Sequence, residues 1–375
     1  MRHLRIFASE FGDAPYACAH RYNGLLQSIF SRETPLKISI VTSFGSHKDQ
    51  TQWLTRFWSL GLNCREGSFP VRVAKELAFA FFSLASLVLD REKIVLISVP
   101  NFLSSILICL GCQIGRIPYS IDVRDLYPDS YELGGVLSNN SLLYRCLYKI
   151  VLYQYLRAQC LFVATEGLGE ILATRGIPED KIVAIRNGYH TDFCAEALSS
   201  FEHVGRDIVF HGTLGKMQSV DFLSKIVCSL PEFKFSFIGE GKAFDYLKGK
   251  RFHNLLIMER MPYRDVLKVV AGHQIGLCIR TGSWYDKISL PVKIFEYLGL
   301  KLRVVGFPET EFSRDPNLKS LLVEFDDFDV DVISEKIRVL LDSDDHMLTE
   351  VPSYLTREYQ SNLFRDQLLK ICKDT

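Results

Sequence analysis

The feature that most constrains this chain is a recurring short run of apolar residues with no polar alternation, closed each time by turn residues. Lys93-Ile94-Val95-Leu96-Ile97-Ser98 and Gln274-Ile275-Gly276-Leu277-Cys278-Ile279 are the clearest cases. A strand that alternates has one wet face. A strand that is apolar throughout is buried on both faces, which is the pattern of a parallel sheet covered by helices.

The runs alternate with helical patterns along the whole chain. In the first half, strands are predicted at Leu4–Ser9, Leu36–Thr42, Lys93–Ser98, Pro118–Val123, Cys160–Thr165 and Lys181–Ile185. Helices are predicted at Tyr16–Phe30, Phe102–Cys112 and Ser141–Gln159, with one more ending at Arg175-Gly176. Arg186-Asn187-Gly188-Tyr189-His190 breaks the pattern, and Asp192 to Arg206 is polar with little periodicity, so the hinge is placed here. The alternation then restarts. Strands are expected at Asp207–Phe210, Phe233–Ile238, Leu255–Met258, Gln274–Ile279, within Leu302–Gly306, and at Ser320–Phe325. Helices are expected at Val220–Ser229, Tyr263–Ala271, Lys293–Glu296, Val332–Leu341 and Tyr354–Cys372, the last with Leu355, Tyr359, Leu363, Phe364, Leu368 and Ile371 on one side. The fold class is therefore α/β, with two doubly wound Rossmann-like domains, and 375 residues are enough for both.

The stretch Ser289-Leu290-Pro291-Val292-Lys293-Ile294-Phe295-Glu296-Tyr297-Leu298 reads as a loop entering a helix after a buried strand, where open α/β sheets hold ligands. Pro291 suits the first helical turn and Ser289 suits a cap. The helix start offers amides to an anion. Lys293 and Glu296 share one face, a cation fit for a diphosphate and a carboxylate fit for a sugar diol. The plain alternative is a surface ion pair. Gly212 and Gly215 follow one strand, and Gly239 and Gly241 the next, where backbone approaches a ligand closely. No GxGxxG and no GxxxxGK[ST] is present.

Formal net charge is +0, so nothing in bulk electrostatics favours nucleic acid. Ten cysteines without a regular spacing suggest reduced thiols in a cytoplasmic setting and no metal site. The chain enters strand-like Leu4–Ala8 directly, without a signal-peptide pattern. Leu77–Leu89 is apolar but shorter than the roughly 20 residues a bilayer needs. It reads as a buried helix or as one dipping into a membrane surface, with Arg72 and Lys75 at the headgroups.

Together the motifs resemble a retaining GT-B glycosyltransferase of family 4, in the branch that moves amino sugars of the N-acetylfucosamine type in bacterial surface-polysaccharide assembly. Asp122-Val123-Arg124-Asp125-Leu126-Tyr127-Pro128-Asp129 is similar to that branch's RDLWP-type motif, and Arg186-Asn187-Gly188 to its PNG hinge. His211-Gly212-Thr213-Leu214-Gly215 and Phe237-Ile238-Gly239-Glu240-Gly241 are similar to its two glycine turns, and Leu290–Tyr297 to its PSKxxEY helix.

The resemblance implies two domains facing a cleft, residues 1–188 on the acceptor side and 189–352 binding the donor. A terminal helix, residues 353–375, crosses back to the first domain. It implies that Glu296 holds the ribose, and that Lys293 and the amides near Pro291 hold the diphosphate. Gly212, Thr213, Gly215 and Lys216 would lie along the donor, Gly12 across from it, and Glu240 with Met261 near the base. Asp125, with Arg124, would orient an acceptor hydroxyl or the donor sugar; its alternative is a structural Asp paired to Arg124. His20 and His190 read as structural.

Two departures stand out. Ile288 occupies a position where many members carry a second Glu, and Gln218-Ser219 stands where many have Lys-Gly. The expected activity is sugar transfer from a nucleotide-sugar donor, UDP-linked, to a lipid-linked or oligosaccharide acceptor, with no metal and no cofactor. The expected place is the cytoplasm, or the inner face of the membrane. The rivals are a nucleotide-sugar epimerase and a non-catalytic partner subunit.

Overall fold

The computed structural model describes residues 2–12, 17–30, 36–45, 54–64, 66–89, 94–98, 101–200, 207–215, 218–318, 321–342 and 350–374. The chain divides into two units, Met1–Arg186 with Gln360–Thr375, and Asn187–Tyr359.

In the first unit the elements run β1 (Arg2–Glu10), α1 (Ala17–Phe30), β2 (Leu36–Phe44), β3 (Leu54–Ser59), α2 (Phe69–Leu89), β4 (Ile94–Ser98), α3 (Phe102–Ile114), β5 (Tyr119–Val123), α4 (Asp129–Leu133), α5 (Leu142–Arg157), β6 (Leu161–Val163), α6 (Glu166–Thr174) and β7 (Ile182–Ala184). Every pairing is parallel, in the order β3-β2-β1-β4-β5-β6-β7. The continuous runs earn this place: all five residues of β4 and of β5 are buried. Right-handed crossovers put α1 on one face and α2, α3 and α5 on the other. The α1 face is completed by the last helix of the chain, whose Phe364, Leu368 and Cys372 join Tyr22, Leu25 and Ile38 in one core.

The second unit runs α7 (Thr191–Ser200), β8 (Ile208–His211), α8 (Val220–Ser229), β9 (Phe235–Gly239), α9 (Lys242–Lys250), β10 (Leu255–Glu259), α10 (Tyr263–Ala271), β11 (Ile275–Ile279), α11 (Trp284–Ile288), α12 (Val292–Gly299), β12 (Arg303–Phe307), β13 (Leu322–Glu324) and α13 (Val330–Asp342). The terminal helix, α14, spans Arg357–Asp374. The second sheet is also all parallel, β10-β9-β8-β11-β12-β13. One core lies under α7, α10 and α12, and another under α8, α9 and α13, so this sheet is doubly wound.

Four expectations change. The polar stretch after His190 is not irregular through Ser200 but forms α7, because Cys194 and Ala197 with Phe193 and Leu198 make a narrow apolar stripe against α10. β3 exists at the sheet edge although Leu-Thr-Arg-Phe-Trp-Ser carries a charge; Arg56 is exposed there. Helix α14 begins at Arg357, and Tyr359 is exposed rather than part of its buried stripe. The reading of Leu77–Leu89 as a buried helix holds for one side only: α2 exposes Leu77, Phe81 and Val88.

Candidate functional site

In the second unit β8 lies beside β11, and the strand order reverses there. Open parallel sheets leave a ligand crevice outside the carboxyl ends of the strands at such a point. Strand β8 ends in His211 and turns at Gly212; β11 ends at Ile279 and leads through α11 to α12.

The glycine turns are glycine for steric reasons. Gly212, Gly239 and Gly241 have φ of 107°, 151° and 125°. A Cβ on Gly239 would lie 2.2 Å from the Gly212 carbonyl oxygen, and one on Gly241 2.8 Å from that of Leu214. Gly212 N–H donates to Ile238 O (2.9 Å) and Leu214 N–H to Glu240 O (3.1 Å), so the two turns are stitched edge to edge. Gly215 differs: a Cβ there meets nothing nearer than Thr213 Cγ2 at 3.9 Å.

The loop before α12 is braced by a buried ion pair, Arg280 Nη2 to Asp286 Oδ1 at 2.6 Å. Asp286 and Ser283 form a capping box on α11. Arg280 Nη1 donates to Ser289 Oγ at 2.6 Å, and Ser289 Oγ donates to Tyr285 O at 2.8 Å. Ser289 therefore does not cap α12, as expected from sequence, because its hydroxyl is already committed to this brace. Pro291 is the residue before the helix rather than in its first turn; its ψ of 139° is extended. No side chain caps α12; Ile294 N–H donates to Pro291 O at 3.1 Å, which leaves the amides of Val292 and Lys293 for another acceptor.

Residues Lys293 to Leu298 of α12 are all buried, which removes the surface ion-pair alternative. Lys293 is 8% and Glu296 4% exposed, and they do not bond to each other. Glu296 Oε2 lies 3.2 Å from His211 Nε2, an ion-pair distance, though the approach angle makes no hydrogen bond. The Tyr263 hydroxyl donates to Glu296 as well. Burial alone would raise the Glu296 pKa; the neighbouring His211 and the Tyr263 hydroxyl outweigh it and hold the group below its ordinary value.

Among the described residues Lys293 has no ion pair. Its Nζ stands 3.7 Å from the centre of the Phe210 ring and beside the Cα of Gly212, 3.6 Å from where a Cβ would be. Burial lowers its pKa to about 8. Tyr297 fixes the helix to both strands: its hydroxyl accepts from His211 N–H (3.2 Å) and donates to Leu277 O (3.3 Å).

Thus Lys293, Glu296, Pro291, Gly212 and Gly239 come together at one end of one sheet. Thr213 and Gly215 are exposed next to them. Glu240 is exposed after β9 and pairs with Arg260 at 3.0 Å; Met261 is half-buried against the core under α10. Lys216 lies outside the described residues. His190 is structural, its Nε2 3.1 Å from Arg357 Nη1 and its ring against Phe193. Sequence reasoning missed His211, Tyr263, Arg280 and Asp286 as parts of the site. His211 stood in plain view in the glycine turn; the others gave no local signal.

The first unit holds the remaining expected residues. Gly12 turns at φ 69° after β1, and Asn23 Nδ2 donates to its carbonyl at 2.6 Å. Arg124 and Asp125 are half-buried in the turn after β5. Their neighbours are structural. Asp122 accepts from buried Arg21 and Tyr22, both at 3.1 Å. Tyr127 stacks on Phe102 at 4.7 Å. Asp129 takes Arg175 in a fork at 2.9 and 2.8 Å and accepts from Tyr144. The motif thus spends two acids, Asp122 and Asp129, on anchoring.

No family model matches the chain, and no curated protein matches it. Solved structures do. The UDP-GlcNAc 2-epimerase of Neisseria meningitidis bound to UDP-GlcNAc is 13% identical, covers 99% of this chain and 100% of its own, and has a TM-score of 0.60. A glycosyltransferase from Rickettsia africae is 14% identical over 100% of this chain and 98% of its own, TM-score 0.58. Anabaena HepE in complex with UDP and glucose is 9% identical over 100% and 98%, TM-score 0.61. At these identities the likeness establishes the fold: two Rossmann-like units of the GT-B kind.

Proposed function

We propose that this chain is a glycosyltransferase that takes a sugar from a UDP-linked donor and passes it to a lipid-linked or glycan acceptor. The observation that carries the reading lies on one buried helix. There an ammonium without an ion pair among the described residues sits one turn from a carboxylate held in its charged form. Lys293 and the first-turn amides of α12 take the diphosphate, and Glu296 takes the ribose diol. Gly212, Thr213 and Gly215 lie along the donor, with Glu240 and Met261 toward the base. As the bond from sugar to phosphate breaks, negative charge gathers on the leaving diphosphate. A cation fixed in dry surroundings stabilises that charge without reorganising, so the role asks for no metal. In the first unit Asp125, with Arg124, orients the acceptor hydroxyl. The motifs favour the amino-sugar branch of family 4, acting in the cytoplasm on surface-polysaccharide intermediates.

A second reading, a nucleotide-sugar epimerase, is favoured by the UDP-GlcNAc 2-epimerases among the structural neighbours. One experiment separates the two. Purified protein is first screened by melting temperature against nucleoside diphosphates and UDP-sugars, since a ligand of the folded state alone must raise it. Each binding sugar nucleotide is then incubated with and without a lipid-linked acceptor and followed by NMR. Sugar on the acceptor supports transfer. A new UDP-sugar without acceptor supports epimerisation. No melting shift with any nucleotide refutes both.

A further inference from the structure

Three neighbouring helices of the first unit are apolar outward as well as inward: α2 buries Phe79, Ala80 and Leu87, α3 buries Phe102, Ile108 and Cys112, and α5 buries Val151 and Tyr155. Helix α2 buries Ser83 and Ser86 and exposes Phe81 (66%) and Val88 (84%). Helix α3 buries Ser104 and Ser105 and exposes Leu110 (46%) and Ile114 (77%). Ser86 Oγ donates to Ser83 O at 2.6 Å and Ser105 Oγ to Phe102 O at 2.8 Å, whereas Ser83 Oγ and Ser104 Oγ are buried without a hydrogen-bond partner. Helix α5 buries Gln154, whose Nε2 donates to Ile106 O of α3 at 2.9 Å, and exposes Leu142, Ile150 and Tyr153. Gly111 of α3 lies against Leu84 of α2, so the three helices form one continuous layer.

A surface helix ordinarily turns its apolar stripe to the core. A single exposed leucine is unremarkable, whereas a contiguous apolar face across three helices marks a surface that is meant to be covered. Charge says by what. The exposed charged side chains of α2, α3 and α5 are Arg72, Arg145, Lys149 and Arg157, all cations. Their one carboxylate, Glu76, is buried and accepts from Leu103 N–H at 3.0 Å. A second copy of this chain on a two-fold axis would set these cations against themselves. A sheet of anionic headgroups over an acyl layer matches both features at once. No helix among the described residues is long and apolar enough to cross a membrane, so the contact is with the surface.

We propose that the α2–α3–α5 face docks on an anionic phospholipid bilayer. Phe81, Val88, Ile114 and Leu142 enter the acyl boundary, and Arg145, Lys149 and Arg157 meet the phosphates. The inference does not rest on the transferase reading, and its test needs no donor and no turnover.

The test is sedimentation of the full chain with vesicles of phosphatidylcholine alone and of an equal mixture with phosphatidylglycerol. The protein is expected to pellet with the mixture at low salt, roughly tenfold more than with phosphatidylcholine, and to come off at high salt. Arg145→Glu with Lys149→Glu should lower the bound fraction roughly tenfold at an unchanged melting temperature. Phe81→Glu with Ile114→Glu should abolish binding; should that variant fail to fold, the charge reversal decides alone. Protein left in the supernatant with the mixed vesicles overturns the proposal. So does equal pelleting of wild type and charge reversal. So does a dimer, measured by light scattering, that Phe81→Glu dissociates.

Discussion

Nε2 of His211, at the end of β8, lies 3.2 Å from Oε2 of Glu296, in the middle of α12. Two segments far apart in the chain thus meet through an acid and a base, and the carboxylate is fixed before any ligand arrives. Tyr263 holds it from another side. A preorganised acceptor loses little freedom when a diol docks on it.

On the proposed reading, Glu296→Ala removes both hydroxyl contacts to the ribose. Each hydrogen bond to a charged group is worth about 1.5 kcal/mol or more, so UDP affinity should fall roughly a hundredfold by calorimetry. Glu296→Gln keeps the shape and should fold as wild type while still binding weakly. Affinity within about twofold of wild type would remove the ribose role.

Lys293→Ala should weaken UDP and leave uridine unchanged, because in the proposed site the ammonium meets only the diphosphate. Equal losses for the two ligands would count against phosphate contact.

The lowered Lys293 pKa makes binding pH-dependent. The group is charged in the free protein only below about 8. An anion raises that pKa, so binding takes up a proton once the pH exceeds it. UDP affinity should be level below pH 8 and decline above it, up to about tenfold per unit, and Lys293→Met should abolish the slope. For stability the sign is the reverse. Burying the charged form penalises folding below about 8, and the penalty fades as pH rises toward the ordinary 10.5. Calorimetry in two buffers of different ionisation enthalpy at high pH reads the proton directly; identical heats would rule the linkage out.

Gly239→Ala forces a Cβ to within 2.2 Å of the Gly212 carbonyl at a φ of 151°. The turns must part, and about 1–3 kcal/mol of stability should go with UDP binding. Gly215→Ala meets only open space and should melt as wild type. A normal melting temperature for Gly239→Ala would show that the two turns are not interlocked.

In the first unit, Asp129→Ala leaves half-buried Arg175 without its fork and should lower stability by about 3 kcal/mol. Asp125→Asn should melt normally and bind UDP normally, yet lose turnover with acceptor. Full turnover by Asp125→Asn would return that residue to a structural role.

The strands of both sheets were legible because buried parallel strands are apolar without interruption, as in β4 and β11. Edge strand β3 was not, since exposed Arg56 sits in the middle of the run and breaks it. Helix α7 was hidden by a two-wide stripe in a polar setting. The burial of Lys293 was not legible at all, because Lys-x-x-Glu reads the same on a wet helix as on a dry one. Nor was the second, outward apolar face of α2 and α3, since periodicity locates a stripe without saying whether it faces in or out. His211 could be seen as a residue but not as Glu296's neighbour, for that contact is made by the pairing of β8 with β11.

Tyr297 ties α12 by one phenol to the backbone of two strands. The helix therefore has no freedom to roll, and the gripping points at Lys293 and Glu296 keep a constant spacing. In the proposed site both ends of a nucleotide would meet groups whose separation the fold has already set, so little rearrangement is needed to receive it.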